Sequence, residues 1–114
     1  MKVKSILQIA QCLMNQDITI DRSFDSPDSG YMVSEAGGLE LTDPDLDKIV
    51  TFVRDNFHKL EASPRVYFGS WTDNGVKYID VSHNMQDMFA ALAFGQINKQ
   101  IAIWDVKKQK AINV

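Results

Sequence analysis

The sequence predicts an α+β domain, with three helices packed on one face of an antiparallel sheet of about five to six strands, in the order αββαββαββ. Three observations carry this. Apolar residues recur at helical spacing in three stretches. Asn74-Gly75 stands between two strand-like runs. Elsewhere, turn residues separate short segments of alternating polarity. With 114 residues, 45% hydrophobic and 24% charged, the chain reads as a single domain over residues 1–114, large enough to build a core without disulfide or metal.

Residues 4–16 form the first predicted helix. Ile6, Ile9, Ala10, Leu13 and Met14 share one face, and Leu7 widens it. Residues 18–24 then alternate as a half-buried strand. Ser26-Pro27-Asp28-Ser29-Gly30 supplies turn chemistry, Tyr31-Met32-Val33 the returning strand, and Glu35-Ala36-Gly37-Gly38 a loop. Thr42-Asp43-Pro44-Asp45 predicts a helix start capped by Thr42 or Asp43. Leu46, Ile49, Val50, Val53, Phe57 and Leu60 make that helix's apolar stripe, which ends before Pro64.

Residues 66–72 and 76–81 predict a hairpin. Asn-Gly between two such runs fits a type I′ turn, which needs φ > 0 at both central residues. A third helix is predicted over roughly 85–97, capped by Ser82 or Asn84, with Met85, Met88, Phe89, Leu92 and Ala93 as its face. Ile101, Ile103 and Trp104 begin a further strand. Lys107-Lys108-Gln109-Lys110 turns the chain into a last strand over 111–114.

Composition narrows the function. Cys12 is the one cysteine, so the chain has no internal disulfide and reads as a protein of a reducing, cytoplasmic compartment. The basic start Met1-Lys2-Val3-Lys4 leads into a run broken by Gln8, Gln11, Asn15 and Gln16, unlike a secretion signal. No run approaches the roughly 18 apolar residues of a membrane span. The net charge is −3 but unevenly spread. Residues 17–47 hold nine acids against Arg22 alone.

Each chemical motif has a plainer reading beside it. Asp43-Pro44-Asp45-Leu46-Asp47 starts like a calcium loop, but Lys48 and Arg54 stand where glycine and glutamate are required, so a helix start is expected. His58 and His83 lack the partners of a zinc site, and no metal or cofactor is expected. Gly37-Gly38 lacks a phosphate-loop pattern. Tyr67, Phe68, Trp71 and Tyr78 cluster on the hairpin with only Arg65 and Lys77 beside them. This favours core packing and cross-strand pairing over nucleic-acid stacking. Asp80 and Asp105 are the candidate pair for acid–base or magnesium chemistry, with no third group apparent.

Gly69-Ser70-Trp71-Thr72-Asp73-Asn74-Gly75, Tyr78-Ile79-Asp80-Val81, Ala90-Ala91-Leu92 and the run from Asn98 to Val106 resemble a pattern in small uncharacterised proteins of phages and other bacterial mobile elements. The resemblance covers residues 66–114. It implies a bacterial or phage cytosolic setting and carries over no catalytic residue.

Two functional classes emerge. The first is a non-enzymatic binding protein that meets a protein partner, through an acidic surface that includes Asp21, Asp25, Asp28 and Glu40. The rival is a small hydrolase or metal-dependent enzyme using Asp80 and Asp105. The sequence argues against direct nucleic-acid or membrane binding and leaves self-association open.

Overall fold

Asn74 (φ 50) and Gly75 (φ 77) both take the left-handed conformation that a type I′ turn demands, and the predicted hairpin forms around them. The computed structural model describes residues 2–114, with side chains from Ser5 onward. The basic start, with Lys2 and Lys4, therefore lies outside the described side chains. The elements are α1 (Lys2–Asn15), β1 (Ile18–Ile20), β2 (Tyr31–Ser34), β3 (Leu39–Leu41), α2 (Leu46–Ala62), β4 (Val66–Asp73), β5 (Val76–Met85), α3 (Met88–Ile97), β6 (Ala102–Asp105) and β7 (Lys110–Asn113).

All seven strands join one antiparallel sheet in the order β1-β4-β5-β2-β6-β7, with β3 also paired to β5. β5 is long enough to hold two neighbours along one edge. Its first half pairs Ile79 with Leu39, and its second half pairs His83 with Val33.

The register separates two faces, because successive side chains alternate across a strand. Val66, Phe68 and Ser70 of β4 lie opposite His83, Val81 and Ile79 of β5 and face the helices. Ile9 and Leu13 of α1 and Ile49, Val53, Phe57 and Leu60 of α2 cover that half. Ala91 of α3 covers Val33 and Ile103 in a second, smaller cluster. Each large side chain buried here contributes about 1.5–3 kcal/mol.

α1 ends against a buried cation from another element. Lys77 Nζ donates to the Leu13 carbonyl (2.7 Å), and Ser70 Oγ lies within donating reach of the Leu13 (2.7 Å) and Gln16 (2.8 Å) carbonyls, one of which takes its single proton. α1 has no basic residue in its own last turn, and Lys77 of β5 supplies the charge its C-terminus favours.

The structure corrects several boundaries. The sheet has seven strands, because Leu39–Leu41, to which the sequence assigns no element, pairs with β5. β1 stops at Ile20, because the Asp21 carboxylate accepts the Ser23 and Asp25 amides and turns the chain. Asp45, not Thr42 or Asp43, caps α2 by accepting the Asp47 and Lys48 amides. Ser82 and Asn84 cap nothing, since β5 continues through Met85 to pair with β2. Asp87 caps α3 instead. Leu7 is exposed rather than part of the buried stripe of α1.

Candidate functional site

The second face of the sheet has no helix on it. Its outward positions are Thr19 on β1, Met32 and Ser34 on β2, Glu40 on β3, Tyr67, Gly69, Trp71 and Asp73 on β4, Val76, Tyr78, Asp80, Ser82 and Asn84 on β5, and Ala102, Trp104, Ala111 and Asn113 on β6 and β7. None is Lys or Arg. Lys77 and Lys110 point to the helix side, opposite Leu41 and Asp105.

At one end of this face Trp71 stacks on Tyr78 across the strand pair, with ring centroids 4.2 Å apart and planes 14° from parallel. Trp71 is 47% exposed and Trp104 41%. Hairpin aromatics were expected to pack in the core or to pair across strands. Phe68 packs in the core, and Trp71, on the opposite parity of β4, faces outward and pairs across the strand with Tyr78. Glu40 is the direct cross-strand neighbour of Tyr78, which places a carboxylate beside the aromatic pair.

Asp80 occupies the middle of the face. Its Oδ2 accepts a hydrogen bond from Ser34 Oγ at 3.0 Å, and the Trp71 side chain also bonds to it. Burial raises the Asp80 pKa above the ordinary carboxylate range, against these two hydrogen bonds, which lower it. The space for this carboxylate comes from its cross-strand neighbour. A Cβ at Gly69 would stand 2.8 Å from Asp80 Oδ1, so a larger residue there displaces the acid.

At the other end, the 21–30 loop folds over Tyr67 and leaves it buried. Asn84 Nδ2 pins the loop by donating to the Ser29 carbonyl at 2.8 Å. Burial, followed by the charges of Asp21 and Asp28 and then Asp25, raises the Tyr67 pKa, and Arg65 opposes them. A cleft of about 550 Å³ opens here, with Asp28, Arg65, Tyr67 and Gln86 in its wall.

The four predicted acids therefore divide. Asp21, Asp25 and Asp28 gather on the loop near Tyr67, with Asp21 already engaged in the turn. Glu40 lies beyond Asp80 at the aromatic end, about 13 Å along β5 from the neighbour of Tyr67. Asp80 completes an acidic track between the two groups.

Asp80 and Asp105 do not converge. Asp105 follows Ile103 on the helix side of β6, is buried, and accepts the Lys108 amide at 3.1 Å to close the β6–β7 turn. The two carboxylates belong to opposite faces, and neither lines the cleft near Tyr67 or the groove along α2. They do not form an acid–base pair.

His83 is a mid-strand residue of β5. Its Nε2 lies 2.6 Å from Glu35 Oε2, while Lys59 Nζ lies 2.7 Å from Glu35 Oε1. Burial raises the Glu35 pKa, but the hydrogen bonds and charges of Lys59 and His83 outweigh it, and the net shift is downward. This network ties α2 to β2 and β5 at the seam between the two apolar clusters. Among the described residues no three acids, histidines or cysteines group as metal ligands, and no helix is long and apolar enough to cross a membrane.

Comparison with protein-family models, with curated proteins and with solved structures found no match to this chain.

Proposed function

We propose that this chain is a non-enzymatic binding protein that receives a basic protein partner on the uncovered face of its sheet. The observation that supports this reading is the pairing, at one end of a helix-free face, of an exposed aromatic stack with a carboxylate, while the one cation seen beside this face, Arg65, lies at the opposite end next to Tyr67. Arg and Lys side chains are attracted to the faces of Trp and Tyr. Arg also forms paired, charge-assisted hydrogen bonds with carboxylates. Trp71, Tyr78 and Glu40 present both features within one strand spacing. A single Arg65 at the far end from the aromatic stack argues against nucleic acid, which needs a positive track between its stacking aromatics. The resemblance of residues 66–114 supports a bacterial or phage source, and the single cysteine supports a reducing, cytoplasmic setting.

The test uses two peptides of equal length, one rich in Arg and Lys and one rich in Asp and Glu, titrated into the protein while tryptophan fluorescence is followed. The expected result is binding of the basic peptide alone, weakening as salt is raised, with at least a tenfold loss for Trp71→Ala combined with Glu40→Gln. Loss of affinity in Asp25→Asn combined with Asp28→Asn would extend the contact to the loop. Equal binding of the acidic peptide, or no effect of Trp71→Ala and Glu40→Gln on a folded protein, overturns the reading.

A further inference from the structure

The cleft at the loop end of the open face holds a polar group that no other part of the protein satisfies. Tyr67 is only 8% exposed, yet its hydroxyl has no hydrogen-bond partner among the described residues. Buried hydroxyls ordinarily have one, because leaving them unpaired costs free energy. Among the described residues no fully enclosed side-chain oxygen or nitrogen is left unpaired. The Tyr67 hydroxyl therefore opens into the cleft that the residue lines. At about 550 Å³ this cleft is within the usual range of small-molecule sites, about 300–1,000 Å³.

The cleft also carries opposite charges that do not neutralise each other. Arg65 and Asp28 both line it, and neither makes an ion pair among the described residues. Gln86 donates through Nε2 to Asn84 Oδ1 at 2.9 Å, which leaves its side-chain carbonyl oxygen as a spare acceptor. Pro27 and Pro64 add apolar wall. We infer that this cleft binds a small zwitterion with an apolar side chain, the chemistry of a free amino acid. The ligand carboxylate accepts from the Tyr67 hydroxyl and the Arg65 guanidinium, whose charge strengthens the bond. The ligand ammonium donates to the Asp28 carboxylate and the Gln86 carbonyl oxygen, and the side chain rests against the two prolines.

The surrounding charges select a zwitterion over either ion alone. Burial and then the charges of Asp21, Asp28 and Asp25 raise the Tyr67 pKa, so the phenol keeps its proton and acts as a donor. The same three acids outnumber Arg65 and repel a lone anion, phosphate above all. A lone amine satisfies Asp28 but leaves Tyr67 and Arg65 without an acceptor. A ligand with both charges meets all four groups and brings no net charge. The cleft lies at the opposite end of the face from Trp71 and Tyr78, so this inference does not rest on the contact assigned to the basic partner.

The experiment is isothermal titration calorimetry with three probes of one carbon skeleton: L-leucine, isocaproate, which lacks the amine, and isoamylamine, which lacks the carboxylate. Leucine is expected to bind with a Kd of about 1 mM or below, as suits so small a ligand. It should bind about tenfold more tightly than either single-charge analogue. Tyr67→Phe keeps the ring under the loop and removes a hydroxyl that bonds to no other protein group. Its melting temperature should therefore match wild type while leucine affinity falls by about fivefold or more. Arg65→Gln should weaken leucine and leave isoamylamine unchanged, whereas Asp28→Asn should weaken both. Three results overturn the inference: no saturable leucine binding up to about 20 mM, equal affinity for leucine and either analogue, or unchanged leucine affinity in folded Tyr67→Phe.

Discussion

Replacing Lys77 with Met isolates the cation at the end of α1. The methionine keeps most of the buried stem and removes the ammonium, which donates to Leu13 O at 2.7 Å, to Ser70 Oγ at 3.0 Å and more weakly to Gln16 O at 3.4 Å. Ser70 has a single hydroxyl proton. It lies within reach of both carbonyls but serves one at a time, so without Lys77 one of the two carbonyls loses its protein donor. A hydrogen bond from a charged donor contributes about 1.5–3 kcal/mol net. Relief of the cost of burying the ammonium offsets part of that, which leaves an expected destabilisation of about 2 kcal/mol. For a chain of this size the melting temperature should fall by about 8 °C. Urea denaturation followed by both tryptophan fluorescence and far-ultraviolet circular dichroism measures the change. Lys48→Met, on the exposed side of α2, serves as the control and should stay within about 0.5 kcal/mol of wild type. If Lys77→Met also stays within that margin, the helix end does not depend on Lys77 and the reasoning fails.

Gly75→Val should cost about 1–2 kcal/mol in the same assay. No atom crowds the position, so the whole effect is the strain of a β-branched residue at φ 77; an unchanged midpoint would contradict the type I′ turn. Glu35 has a folded pKa below its ordinary 4.5, so its contribution is complete above that pH and is lost as pH falls through the folded value. Glu35→Gln should therefore lower stability at neutral pH and flatten the acid limb of the stability curve. Asp80 has the opposite sign. Its folded pKa lies above 3.8, so its ionisation opposes folding as pH rises through the folded value, and Asp80→Asn should remove a limb of reverse slope.

Long periodic segments and one turn carried most of the fold in the sequence. The stripe from Ile49 to Leu60 has enough turns to show its period, and Asn74-Gly75 has a strict backbone requirement. Leu39-Glu40-Leu41 was not legible because three residues make one alternation. It becomes a strand only because β5 extends past the end of β2 and offers it a free edge. The start of α3 was misplaced for a related reason. Ser82 and Asn84 suit a helix cap as isolated residues, but cross-strand pairing with Ser34 and Met32 holds them extended. The candidate site was half visible. The acids of residues 17–47 stand out by composition, while the direction of Trp71 depends on the parity of β4, and that is set by Val66 and Phe68 taking the helix side.

The two faces of the sheet also explain where the unusual residues lie. α1 and α2 are amphipathic, and their described outer faces carry polar side chains such as Gln8, Gln11 and Asn15 on α1 and Lys48, Arg54 and Asp55 on α2. α3 carries no such edge. Its outward stripe lies on the helix side of the sheet, whereas Trp71, Tyr78, Asp80 and Glu40 lie on the other. A basic partner seated on Trp71 and Glu40 therefore leaves the helix layer untouched. It follows that Ile97→Glu, on the outward stripe of α3, should leave affinity for a basic peptide unchanged, whereas a loss of affinity in a folded variant would place part of the contact on α3.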